Sequence, residues 1–452
     1  MSAAIVVGGG LAGLAAAVDL AAHGLRPTVL EARPHLGGRA YSFTDPTSGL
    51  QVDNGQHAMM GCYTHTLAFL ERIGAAHKVV RQSNMRVAMR DARLGEGVIA
   101  CAPLPSPLHV FGGVMGYRLL QRRERCQALV AGLRIARMYR RADPRLAAST
   151  VGELLGALGQ SAHSQASFWN PIAVATLNEA PARAAAAPFA AVLMRAFFGS
   201  RRDSQFVLSG VALSELYAED ARRFIEERGG RIEAHTAVVG LEVAGGGRVI
   251  AVRLRDGRRL ATDACVVALP PRALAALVPD DLRDSAPFRN LADFAGSPIV
   301  SLHLWLDRTV LMHEFVGLIG TTTQWIFNRS RLLRDARGAG QCLSAVISAG
   351  HDVVNWDNAR IAATVLDDLR SVVPAARGAQ VLHSIVVKER HATISTTPAA
   401  DRRRPAPATS IGNLWLAGDW TATGLPPTIE SAVLSGHRAA ALLIERANPR
   451  HL

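Results

Sequence analysis

The run from Ala3 to Arg39 limits this chain more than any other stretch, because its pattern fits a strand, a glycine turn and a helix in immediate succession. Ala3-Ala4-Ile5-Val6-Val7 is a short apolar strand. It enters Gly8-Gly9-Gly10-Leu11-Ala12-Gly13, and Leu14 to His23 then repeats small and apolar residues at helical spacing. Gly8 permits the sharp turn, Gly10 lets the backbone approach a pyrophosphate, and Gly13 allows the helix to lie close to the strand. The N–H groups at the helix start, around Leu11 and Ala12, then face the phosphates. Gly24 suits the position past the helix end, and Arg26 to Leu30 reads as a second strand closing on Glu31. Glu31 stands 18 residues beyond Gly13, near the ~20 expected for an acid that accepts hydrogen bonds from a ribose diol. The glycine cluster, Asp19 and His23 interrupt the apolar run, which therefore reads as a soluble start rather than a signal peptide or a membrane helix.

Directly after the acid, Ala32-Arg33-Pro34-His35-Leu36-Gly37-Gly38-Arg39 adds a second glycine pair and an arginine, as if the chain turned back over the same phosphates. This pattern resembles the paired-glycine motif of the FAD family that contains amine oxidases, protoporphyrinogen oxidases and phytoene desaturases. The resemblance implies that Ala32, Arg33, Gly37, Gly38 and Arg39 lie against FAD. A second likeness sits near the other end: Asn413 to Trp420 reads as a buried strand ending in Gly418-Asp419, and Thr428 to Gly436 begins a helix of small residues. It implies that Gly418 and Asp419 hold the ribityl chain and that the helix start at Thr428 and Ile429 points at the flavin. Thr428 suits an N-cap and Glu430 a first turn.

Three further segments resemble one branch of that family, the squalene-associated FAD-dependent desaturases, understood as hydroxysqualene dehydroxylases. They are Val52 to His57, Phe168-Trp169-Asn170-Pro171 continuing through Asn178, and Trp420 to Pro426; Pro427 replaces a usual alanine and Ser431 a usual glycine. The branch resemblance implies that Asn54, Gly55 and Gln56 face the flavin, and that hydroxysqualene is reduced to squalene. Hydroxide leaves poorly, so an acid must protonate it or the site must stabilise an allylic cation. His57 is the first candidate acid, because histidine titrates near neutral pH; Glu179 and Arg390 flank branch motifs and are weaker ones. Phe168, Trp169, Phe189, Leu193, Met194, Phe197 and Phe198 are candidates to line an apolar channel, or to be core.

The fold class that follows is α/β: a discontinuous Rossmann-like FAD-binding domain over 1–77, 218–290 and 400–452, with an inserted α+β substrate domain over 78–217 and 291–399. Arg81 to Asp203 shows long helical patterns, Val300 to Leu306 alternates as a strand, and Gly245-Gly246-Gly247 marks a turn. In this family fold the strand Thr236 to Leu241 touches the adenine end through a residue near Val238. Cys62, Cys101, Cys126, Cys265 and Cys342 are scattered and odd in number, which indicates neither a disulfide framework nor a metal site and suits a reducing cytoplasm. No second glycine-rich nucleotide motif is present, so a separate reductase or reduced flavin is expected as the electron donor.

The formal charge is +13, and nearly all the cations are arginine, Lys78 and Lys388 being the only lysines. From Arg118 to Arg145, arginines alternate with Leu119, Leu129, Val130, Leu133 and Met138. This pattern fits either a solvated helix face or a basic amphipathic helix resting on the inner face of a membrane. Two other functions stay open at this point: an oxidative relative acting on a polyene or an amine, and a nucleic-acid-binding flavoprotein prompted by the charge. The chain lacks the interleaved aromatic and basic residues of a nucleic-acid surface.

Overall fold

The computed structural model describes residues 4–245, 247–333 and 340–447; Ala3 and Gly246, assigned above to the first strand and to a glycine turn, lie outside them. Five parallel strands form one sheet in the order Arg231–Glu233, Pro27–Leu30, Ala4–Val7, Ala264–Val267 and Leu414–Leu416. The central strand Ala4–Val7 (β1) is buried along its whole length, which is why its sequence is continuously apolar rather than alternating. The helix Leu11–Ala22 (α1) follows, and every residue from Leu11 to Ala21 is buried. Its alanines are needed because it is clasped between the sheet and the helix Ile429–Ala447. A Cβ on Gly436 of that helix would stand only 2.2 Å from the Ala12 carbonyl oxygen.

A second sheet has seven strands in the order Val381–Ile394, Gly296–Leu306, Gln341–Ser348, Trp325–Asn328, Phe315–Ile319, Arg86–Asp91 and Gly95–Ala100. The expected strand at Val300 to Leu306 is therefore part of a longer one. The helical reading of Arg81 to Asp203 fails at its start, where Arg86–Asp91 and Gly95–Ala100 form a hairpin. Val87 and Met89 face one core and Ala88 the other, so period-2 burial wins over the helical pattern there. Helices resume with Leu108–Gly116 (α2) and Arg122–Arg140 (α3). A helix Leu213–Glu226 follows and spans the boundary placed at 218.

One buried polar knot ties the seven-stranded sheet to the small pair Ser42–Thr44 and Gln51–Asp53 and to the start of the helix at Leu213. Asp53 accepts hydrogen bonds from Ser42 Oγ at 2.7 Å and the Leu213 N–H at 3.0 Å, and its other oxygen pairs with Arg329 Nη1 at 2.5 Å. His303 Nε2 donates to the Asp53 carbonyl at 2.9 Å. Burial, reinforced by the Arg329 guanidinium, pushes the His303 imidazole from 6.5 down to about 4. The unfolded imidazole takes up a proton near pH 6.5 that the folded one refuses until about pH 4. The stabilising contribution is therefore complete above pH 6.5 and is lost progressively as pH falls through this window. Melting temperatures at pH 7 and pH 5 check this: the drop is expected to be smaller in His303→Gln than in the parent, and equal drops contradict the assignment.

Candidate functional site

The turn between β1 and α1 makes one end of the site. Gly8 has φ +106°, and its N–H donates to Leu30 at 2.8 Å. The Gly37 N–H donates to the Gly9 carbonyl at 2.9 Å, so the second glycine pair does fold back over the first turn. Around Gly10 this close approach leaves a narrow, side-chain-free cradle, since a Cβ there would already lie 3.7 Å from the Gly38 Cα. α1 starts with Gly10 at its N-cap, without a side-chain cap and without an acid in its first turn. Its leading N–H groups have no acceptor within the helix and suit a pyrophosphate. Glu31 is buried, accepting from the Gly9 N–H at 2.7 Å and the Arg33 N–H at 2.8 Å, which fixes the acid at the end of Pro27–Leu30 (β2). These groups fit the phosphate and ribose portions of FAD.

The other strand end brings Gly418 and Asp419 to the same space. Asp419 pairs with Arg39 Nη2 at 2.6 Å, and Arg39 Nη1 donates to the Ala392 carbonyl at 3.0 Å. Buried Arg404, which the sequence reading passed over, holds this loop from behind: it donates to the carbonyls of Asp419 at 2.6 Å and Leu425 at 2.5 Å. Ser431, standing where the resemblance leads one to expect glycine, adds a hydroxyl bond to the Asp419 carbonyl at 3.1 Å. Thr428 caps the last helix by accepting from the Ser431 N–H at 3.3 Å. Glu430 serves a different helix from its own: its carboxylate accepts from the His65 and Thr66 N–H groups at 3.1 and 2.9 Å, capping Thr64–Arg72.

All the candidate cofactor residues except Gly13 and Val238 border one cavity of about 660 Å³, within the ~300–1,000 Å³ usual for ligand sites. Gly13 acts through packing, because a Cβ there would meet the Gly8 carbonyl oxygen at 1.9 Å. Val238 packs against the core on the far side of the five-stranded sheet and does not line the cavity. Asn54 lines it, donating through Nδ2 to the Arg39 carbonyl and to Glu389 Oε1, each at 2.9 Å. His57 lines it too. Its Nδ1 donates to the Gly55 carbonyl at 2.9 Å, and burial pushes its pKa below the ordinary histidine value. Burial thus disfavours the imidazolium, and with Nδ1–H donated to Gly55 the neutral ring presents Nε2 to the cavity as an acceptor. Glu179 and Arg390 lie away from the cavity. Glu179 is fully buried and bonded to Ser395 and His351, while Arg390 is exposed and donates to Asn355 at 3.0 Å.

Beyond the polar end the same cavity continues as an apolar arm. Phe168, Trp169, Leu193, Phe197 and Phe198 line it as expected, whereas Phe189 is core, edge-on to Trp169. Phe206, Phe315, Trp325, Phe327 and Val346 form the opposite wall, along with Met85, Val87 and Met89 from the hairpin. Asn178, in a left-handed conformation (φ 49°), joins the helical wall to the sheet through Ser297 at 3.1 Å and Thr393 at 3.0 Å. The sequence reading missed the sheet wall. Its alternating apolar residues carried a strand signal but none for a cavity.

Known proteins are similar to this chain in sequence and in fold. The chain is 30% identical to a hydroxysqualene dehydroxylase of Rhodopseudomonas palustris, over 97% of both chains. It is 26% identical to one of Zymomonas mobilis, over 99% of this chain and 100% of that one. A zeta-carotene desaturase of Zea mays is 24% identical over 97% of this chain and 82% of its own. The fold matches an oxidoreductase from Methanosarcina mazei with a TM-score of 0.74 at 17% identity, covering 96% and 98% of the two chains. Putrescine oxidase matches with a TM-score of 0.74 at 15% identity, covering 98% and 99%. The sequence pattern of the flavin containing amine oxidoreductases matches residues 11–444. With the glycine cradle, the ribose acid and this match in hand, the chain is an FAD-dependent oxidoreductase belonging to the flavin-containing amine oxidoreductase family.

Proposed function

We propose that the protein removes the hydroxyl of hydroxysqualene reductively, giving squalene and water, with electrons from a separate reductase or from free reduced flavin. The observation that carries this reading is the cavity itself: the polar, glycine-lined end opens without a partition into an arm walled by Phe, Trp, Met and Val. Bound FAD supplies the hydride. The rest falls to the chain. The apolar arm takes the isoprenoid and excludes water. Nε2 of neutral His57 accepts the hydrogen of the substrate hydroxyl and so orients it. As the oxygen leaves as water, taking up a proton delivered through the polar end of the cavity, positive charge develops on an allylic carbon among the aromatic faces of Phe168, Phe197 and Phe206, which attract cations. The resemblance of hydroxysqualene dehydroxylases from two other organisms supports the same choice of substrate.

An oxidative reaction on a polyene is the second reading, favoured by the likeness to zeta-carotene desaturases. Anaerobic mixing separates the two. Photoreduced enzyme given hydroxysqualene is expected to reoxidise and to yield squalene in equal amount. Oxidised enzyme that is instead bleached by a polyene or an amine, with hydroxysqualene inert, would falsify the proposal.

A further inference from the structure

We propose that the outer faces of α2 and α3 dock on an anionic lipid bilayer, and that the apolar substrate passes between these helices into the cavity. The docking half stands on its own observations; the passage half rests on the reading of an isoprenoid substrate.

Both helices are two-sided in an unusual way. The inner flank of α2 gives Val110 and Val114 to the cavity wall, and α3 gives Ala128, Leu129 and Gly132. Their outer flanks are apolar as well. On α2, Leu108 is 50% exposed and Met115, seven residues on, 42%. On α3, Val130 is 47% and Leu133 45% exposed, on one stripe with exposed Cys126. Phe111 lies between Leu108 and Met115 on the α2 stripe and also borders the cavity, so apolar surface runs unbroken from outside to inside. Side chains of this size on adjacent helices are left bare in soluble proteins chiefly where something apolar covers them.

The charge identifies the cover. At 100° per residue, the α3 stripe runs at one end into Arg122 and Arg123 and at the other into Arg137, Arg140 and Arg141, all exposed. The only acid on the two helices, Glu124, is turned inward and held by Ser161 Oγ at 2.6 Å and His163 at 2.9 Å. Asp143, just past α3, is engaged by Arg145 at 2.7 Å. An apolar centre flanked by unopposed arginines matches the acyl layer and the anionic headgroups of one leaflet. No helix among the described residues is long and apolar enough to cross a membrane, so this contact lies on the surface.

Cys126 provides the test, since it is the exposed cysteine of the five. Holoenzyme carrying a polarity-sensitive dye there is mixed with phosphatidylcholine vesicles, with or without roughly a third of phosphatidylglycerol, in low and high salt. The enzyme is expected to float with the anionic vesicles, with a blue-shifted dye, and to be released by salt. Leu108→Glu/Leu133→Glu is expected to lower the bound fraction about tenfold or more. Its flavin content and its turnover of detergent-dispersed hydroxysqualene stay at the parent level, while turnover from vesicles falls with binding. Flotation of the variant equal to that of the parent, or a dye response to RNA and not to vesicles, overturns docking. Undiminished turnover from vesicles by a variant that no longer floats overturns the passage between the helices. An enzyme that floats as described but is inert toward hydroxysqualene in detergent refutes the proposed reaction and leaves docking supported.

Discussion

Gly13→Ala is expected to yield a protein that retains no FAD through purification and is destabilised by roughly 3 kcal/mol or more. The new Cβ would stand 1.9 Å from the Gly8 carbonyl oxygen and 3.1 Å from its carbon. Both are backbone atoms, so no side chain can swing away; the turn itself must move by more than an ångström. That turn has little room, because the space beside Gly8 is closed by the Ala268 carbonyl just past the neighbouring strand, 2.7 Å from where a Cβ on Gly8 would stand. The phosphate cradle opens, and its N–H groups lose their common focus. Gly156→Ala is the control: it too lies inside a helix, but a Cβ there meets nothing, and alanine is expected to stabilise by up to about 1 kcal/mol. Flavin absorbance per mole of protein and the melting temperature report both effects. A Gly13→Ala variant with full flavin content would show that the close approach of α1 to β1 is not what shapes the cradle.

The second large effect concerns the Asp53–Arg329 pair, whose side chains are 2% and 3% exposed. Arg329→Met leaves the Asp53 carboxylate buried without its counter-charge, at a cost of about 3–5 kcal/mol. The damage reaches the site, because Asn54 to His57 follow Asp53 directly and line the cavity. Lowered melting and weakened FAD retention are expected together. Asp53→Asn/Arg329→Met should recover half or more of the lost stability: the neutral amide still accepts from Ser42 and Leu213 through the oxygen that they occupy now. If the double variant is no better than the single one, shape rather than charge is what the pair supplies.

The cradle was legible because local spacing determines it. Gly8 to Gly13 and Gly37 to Arg39 are close in sequence, and each glycine except Gly9, which faces the Leu36 and Glu31 side chains, answers to a backbone contact within this segment or just past the next strand. Of the apolar arm only the helical wall, Phe168 to Phe198, was legible; the sheet wall was not, because the two meet only through long-range register. Ala88 lies beside Val316 in a parallel pair, and Phe206 meets Phe315 at 4.9 Å. The residues themselves look like any core strand. His57 shows a different limit: its position beside the motif could be read, but its protonation depends on burial that no spacing reveals. Glu430 shows a third, since an acid in a first helical turn can serve a neighbouring helix instead of its own. The arginines of α3 were plain in the sequence, whereas their assignment to the outer side of a cavity wall required the fold.

The most direct test of the account is isotopic. Enzyme photoreduced in D2O without oxygen is given unlabelled hydroxysqualene, and the extracted squalene is examined by mass spectrometry and NMR. The account predicts one deuterium per molecule, at the carbon that carried the hydroxyl, with no label in recovered substrate. Squalene without deuterium, label spread along the chain, or recovery of hydroxysqualene unchanged would contradict it.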